Sequence, residues 1–60
     1  MAVEVGLADG TKLTLANPST REDDVVTSVR DDPAGVMSLV TDDGIYRVVI
    51  RNVVYIRTVG

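Results

Sequence analysis

Apolar and polar residues alternate along much of this chain, which predicts five to six short β-strands. Asp9-Gly10 separates the first two alternating stretches, and Asp42-Asp43-Gly44 separates a later pair. Both are tight hairpin turns, because Asp and Gly tolerate positive φ. The predicted strands span residues 3–7, 11–15, 36–41, 45–51 and 53–59. The residues predicted to face the core are Val3, Val5, Leu7, Leu13, Leu15, Met37, Leu39, Tyr46, Val48, Ile50, Val54 and Ile56.

Residues 20–30 fit two interpretations. As a short helix, the segment begins at a Ser19 cap with Glu22 three residues later, and its valines share one helical face. As a strand, the segment places Val25, Thr27 and Val29 on one face and Val26, Ser28 and Arg30 on the other. The run Val-Val-Thr-Ser-Val is poor helix material because β-branched side chains lose rotamer freedom in a helix. We therefore expect a sixth strand here, with the helix as the alternative.

Composition agrees with an all-β fold, since 21 of the 60 residues are Val, Ile or Thr. The length allows one domain, residues 1–60. Short strands joined by tight turns indicate a strongly bent antiparallel sheet or an open barrel.

Charge is unevenly distributed along the chain, whose net charge is −3. All nine acidic residues lie in residues 1–44, whereas residues 45–60 carry Arg47, Arg51 and Arg57 and no acid. This basic C-terminal strip indicates either internal charge complementarity or a contact surface for an acidic partner, including a second copy of the chain.

The side chains needed for most catalytic chemistry are absent, because the sequence has no Cys and no His. Disulfides, Cys or His zinc sites and histidine-dependent triads are thereby excluded. The pairs Asp23-Asp24, Asp31-Asp32 and Asp42-Asp43 lack the alternating ligand pattern of a calcium loop. Two of these pairs abut Pro or Gly and are ordinary turn formers. We predict that the protein is not an enzyme and has no catalytic residue, cofactor or metal site.

The start of the sequence lacks the basic region and apolar stretch of a secretory signal, and no apolar run is long enough to span a membrane. These features predict a soluble protein with no membrane partner, located in the cytoplasm or within a phage or similar particle.

The small size of the chain, together with its lack of disulfides and of Cys or His metal ligands, favours a role in assembly. The usual supplements to so small a core are disulfides, a metal or oligomerisation, and oligomerisation is the one left here. The alternative is a marginally stable monomer, as many domains of about 60 residues are. The hydrophobic last strand either closes a barrel or pairs with another subunit. We expect a non-enzymatic module that self-associates or docks on a larger complex, for example a minor structural protein of a phage particle. The predicted interface residues are Arg47, Arg51, Asn52, Tyr55 and Arg57.

Two stretches of the chain, Val5–Leu13 and Ile50–Val54, carry a resemblance to a known family. The first, with its Asp-Gly turn followed by Lys-Leu, resembles the first hairpin of the Sm-like (Hfq-like) small β-barrels. The resemblance implies an open five-stranded barrel, Sm-like or Src-homology-3-like, whose edge strands pair between subunits in a ring. It also implies that Arg51 and Asn52 lie near an RNA-binding pore. The alternative function is therefore a nucleic-acid-binding ring that uses Arg47, Arg51, Tyr55 and Arg57.

Overall fold

A computed structural model describes residues 2–60 and shows a mainly β fold with one α-helix. Nearly half of the chain is in strands, as predicted. The elements are β1 (Ala2–Leu7), β2 (Lys12–Thr14), α1 (Glu22–Asp31), β3 (Val36–Thr41), β4 (Gly44–Val49), a 3₁₀ helix (Ile50–Asn52) and β5 (Val53–Val59).

The five strands form two small antiparallel sheets rather than one closed barrel. The first sheet has the order β2-β1-β5, and the second is the β3-β4 hairpin. Both predicted hairpins are confirmed. A backbone hydrogen bond of 2.9 Å from the Ala16 amide to the Val40 carbonyl joins the end of the first hairpin to β3. β2 ends after three residues and α1 follows it, so no continuous ladder joins the two sheets within residues 2–60.

The strand expected over residues 20–30 is wrong, because this segment forms α1. Two reciprocal hydrogen bonds cap its N-terminus. The Arg21 amide donates to the Asp24 carboxylate at 3.1 Å, and the Asp24 amide donates to the Arg21 carbonyl at 3.0 Å. The cap residue is therefore Arg21 rather than Ser19. The helix buries Val25, which is 5% exposed. This burial and the three acids in the first turn stabilise the helix despite the low propensity of its valines.

The core lies between the two sheets and α1. Its buried residues are Val3, Val5, Leu13, Leu15, Val25, Leu39 and Val48, with Leu7, Met37, Val53 and Ile56 packed against them. The hydrophobic pattern predicted most of these positions. Tyr46 is an exception, because it lies near the hairpin turn and keeps 37% of its surface exposed.

A β-bulge in β5 reverses the predicted orientation of one residue. Gly6 lies opposite Tyr55, but the next residue, Leu7, lies opposite Val53, so Val54 has no partner on β1. Val54 is consequently 66% exposed, and the prediction that it faces the core is wrong. Beyond the bulge, Ile56 lies opposite the fully buried Val5 and packs against the core, as predicted.

Candidate functional site

Three polar side chains meet on the outward face of the three-stranded sheet. The Tyr55 hydroxyl donates to Glu4 Oε2 at 2.6 Å, and Arg57 Nε donates to the same oxygen at 2.9 Å. The strand register produces this meeting, because Glu4 on β1 lies directly opposite Arg57 on β5. The Glu4 side chain is only 11% exposed, whereas that of Arg57 is 60% exposed.

Gly6 allows the Tyr55 ring to reach Glu4. The ring lies against Gly6 so closely that a Cβ there would overlap it. The hydrogen bond from Tyr55, and next the one from Arg57, lower the pKa of Glu4 below its usual value. The same hydrogen bond raises the pKa of Tyr55. Glu4 is thus a charged acceptor at neutral pH, and the arrangement fastens β5 to β1 rather than supplying a proton donor.

A groove of about 350 Å³ runs beside β4, between this strand and the β1–β2 turn. Tyr46, Arg47 and Asn52 line it together with Asp9 and apolar residues of the first hairpin. The 3₁₀ helix is held at this place because the Ala8 amide donates to the Asn52 carbonyl at 2.8 Å. The groove is therefore lined by residues of three elements: the first hairpin, β4 and the 3₁₀ helix.

Tyr46 is oriented by the hairpin turn beside the groove. Its hydroxyl donates to Asp43 Oδ2 at 2.8 Å, and the Thr41 hydroxyl donates to the other carboxylate oxygen. The hydrogen bond from Thr41, followed by that from Tyr46, lowers the pKa of Asp43. The hydrogen bond to Asp43, and next the negative charge of that carboxylate, raise the pKa of Tyr46.

The outward face of the β3-β4 hairpin is largely apolar. Alternation along each strand and the cross-strand pairing place six residues on this face, in three opposed pairs: Val36 with Val49, Ser38 with Arg47, and Val40 with Ile45. We call these six residues the apolar hairpin face. All six are exposed. The opposite side of the hairpin carries Leu39 and Val48 into the core.

The predicted interface residues do not form a single patch. Arg57 and Tyr55 lie on the outward face of the three-stranded sheet and are bound to Glu4. Arg47 lies at the centre of the apolar hairpin face, whereas Arg51 and Asn52 belong to the 3₁₀ helix. Of the five predicted interface residues, Arg47 and Asn52 line the groove and the other three do not.

The sequence pattern did not identify Glu4 and Tyr46 as site residues. Glu4 occupies an outward position in an alternating strand, and its partners are more than fifty residues away in sequence. Tyr46 follows Asp43 by three residues across a tight turn, and this spacing was the available signal for a local hydrogen bond.

Within residues 2–60 we find no cluster of three or more acidic side chains arranged to hold a metal ion. In the same part of the chain, α1 is too short and too polar to cross a bilayer. Comparisons with protein-family models, with curated proteins and with solved structures find no match to this chain.

Proposed function

We propose that this chain is a non-enzymatic assembly module that self-associates. The observation that carries this proposal is the apolar hairpin face. Its four aliphatic residues are β-branched and exposed: Val36 (50%), Val40 (52%), Ile45 (70%) and Val49 (37%).

The clustering of these residues matters more than their exposure. Single exposed hydrophobic residues are ordinary, but a contiguous apolar patch typically marks an interaction surface. Eight large hydrophobic residues are exposed in the part of the chain that the structure describes, and half of them lie on this one face. Covering them removes apolar surface from water at about 25 cal/mol per Å².

A small domain gains more than a large one from such a contact. The chain has 60 residues and no cysteine, so its own core is small and it has no disulfide bonds. Contact with a neighbouring subunit extends the buried surface. In the larger version of the proposal, the module is a minor structural subunit of a phage or similar particle, where neighbouring subunits cover the same face.

Sedimentation equilibrium over a wide range of protein concentrations tests the proposal. We expect the weight-average mass to rise above 6.4 kDa as the concentration increases. A mass that stays at 6.4 kDa up to the solubility limit would contradict self-association.

The groove beside β4 favours a second candidate, an Sm-like nucleic-acid-binding module. Tyr46 offers a stacking surface for a base and Asn52 an amide for base edges. Arg47 follows Tyr46 on β4 and adds a positive charge for phosphate from the outward face of the hairpin. In this version Tyr46 takes the role predicted for Tyr55, whose hydroxyl is bound to Glu4.

Fluorescence anisotropy with a single-stranded oligonucleotide tests this candidate. Phosphate contacts are strongest at low salt, so binding should be detectable there and should weaken as salt is added. The Arg47→Ala and Tyr46→Ala variants should bind more weakly than wild type. Arg30→Ala removes the same charge in the last turn of α1, outside the groove, and should have a smaller effect. An unchanged anisotropy at low salt would eliminate this candidate.

A further inference from the structure

We infer that the apolar hairpin face contacts the same face of a second copy, about a two-fold axis parallel to the strands. This inference rests on the self-association proposed above and names its surface and geometry. Closed dimers are usually two-fold symmetric, so each copy offers the same surface and that surface must complement itself.

The order of residues on the face is self-complementary in one arrangement. The Ser38–Arg47 pair lies in the middle, with an aliphatic pair on either side. An axis parallel to the strands places β3 of one copy over β4 of the other. Arg47 then faces Ser38 of the second copy, whose hydroxyl can accept a hydrogen bond from the guanidinium. The aliphatic pairs meet one another, with Val40 over Ile45.

An axis perpendicular to the strands gives an unfavourable contact. It places each strand over its own counterpart, so Arg47 faces Arg47 in the middle of the interface. Two like charges that lose water without gaining a partner oppose association strongly. The position of this one arginine therefore selects the parallel axis.

The size of the face predicts a weak dimer. A six-residue hairpin is about 20 Å long and its two strands about 10 Å wide, well below the roughly 800 Å² per partner of a stable interface. The parallel axis also brings both Asp42-Asp43 turns to the same end. Their mutual repulsion weakens the dimer further, and salt screens it.

Four substitutions measured by sedimentation equilibrium test the inference. Val40→Thr adds a hydroxyl to the face at nearly constant shape. Val54→Thr is its matched control, because Val54 is also exposed, at 66% against 52% for Val40, but lies on the bulge of β5. Asp42→Asn removes a charge at the turn. Asp31→Asn makes the same change in net charge at the C-terminal end of α1. Asp31 precedes β3, which begins at the end of the hairpin away from the Asp42-Asp43 turn.

We expect Val40→Thr to weaken association about tenfold, since the change occurs twice in each dimer, and Val54→Thr to leave it unchanged. Asp42→Asn should tighten association several-fold more than Asp31→Asn. Circular dichroism of each variant verifies that it is folded.

Three results would overturn the inference. If the mass rises with concentration but Val40→Thr and Val54→Thr behave alike, another surface mediates self-association, and only the interface assigned here is wrong. If Val40→Thr weakens association but Asp42→Asn and Asp31→Asn behave alike, the parallel axis is wrong. If wild type remains at 6.4 kDa at every concentration, both the interface and the self-association fail, and the face is left to a different protein.

Discussion

The bulge in β5 predicts opposite effects for the same substitution at two positions, Val54 and Ile56. An unbroken strand would place both side chains on one face, so aspartate would be equally damaging at either. With Val54 as the extra bulge residue, its side chain points to solvent and is 66% exposed. Ile56 instead lies opposite Val5, which has no exposed surface.

The magnitudes follow from these surroundings. Ile56 is partly buried, so Ile56→Asp forfeits part of the about 1.5–3 kcal/mol that full burial of such a side chain supplies. It also places a carboxylate against the core, which costs a further few kcal/mol. A 60-residue domain has a free energy of unfolding of roughly 3–9 kcal/mol. Ile56→Asp should therefore unfold much or all of the population, whereas Val54→Asp should change the free energy of unfolding by no more than about 0.5–1 kcal/mol.

Urea unfolding followed by far-ultraviolet circular dichroism measures both variants, since the chain has no tryptophan to report on folding. Measurements at low protein concentration keep self-association out of the comparison. Ile56→Val serves as a mild control, with an expected loss of about 1 kcal/mol. The bulge would be refuted if Val54→Asp proved as destabilising as Ile56→Asp.

Three further predictions concern the polar contacts. Gly6→Ala displaces the Tyr55 ring and should lower the urea midpoint, and the loss should shrink in a Tyr55→Leu background; an undiminished loss there would contradict the ring contact. The pKa of Glu4 is lowered on folding, so its stabilisation is complete above its usual pKa of 4.5 and is lost as pH falls through the lower folded value. Glu4→Gln should flatten this part of the acid dependence of the urea midpoint, and an unchanged profile would contradict the assignment. Asp24→Ala removes the acceptor of the Arg21 amide and should cost about 1 kcal/mol in urea unfolding, more than Asp23→Ala; equal losses would count against the cap.

Local sequence signals were sufficient for the two hairpins. Asp9-Gly10 forms the first turn, with Gly10 at φ 93° and the Thr11 amide donating to Asp9 Oδ1 at 2.9 Å. Gly44, at φ 148°, ends the second turn. These residues act through backbone freedom and short-range hydrogen bonds, which depend little on the rest of the fold.

The errors arose where tertiary contacts override local preference. The low helix propensity of the valines in α1 favoured a strand, but burial of Val25 in the core stabilises the helix. In the sequence, Val54 and Ile56 fit an unbroken alternating pattern. The bulge at Val54 arises from the pairing of β5 with β1, which the sequence pattern does not reveal. The Glu4–Tyr55–Arg57 contacts depend on pairing between the two ends of the chain, which the sequence pattern does not specify.

Self-association through the apolar hairpin face is tested most directly by isotope-filtered nuclear Overhauser spectroscopy on a mixture of labelled and unlabelled chains, which detects only contacts between copies. A dimer about the parallel axis gives intermolecular contacts between the methyl groups of Val40 and Ile45, and between those of Val36 and Val49. Contacts from Val40 to Val36 of the other copy would contradict the parallel axis. A spectrum without intermolecular contacts on this face, at concentrations where the mass exceeds 6.4 kDa, would contradict the interface itself.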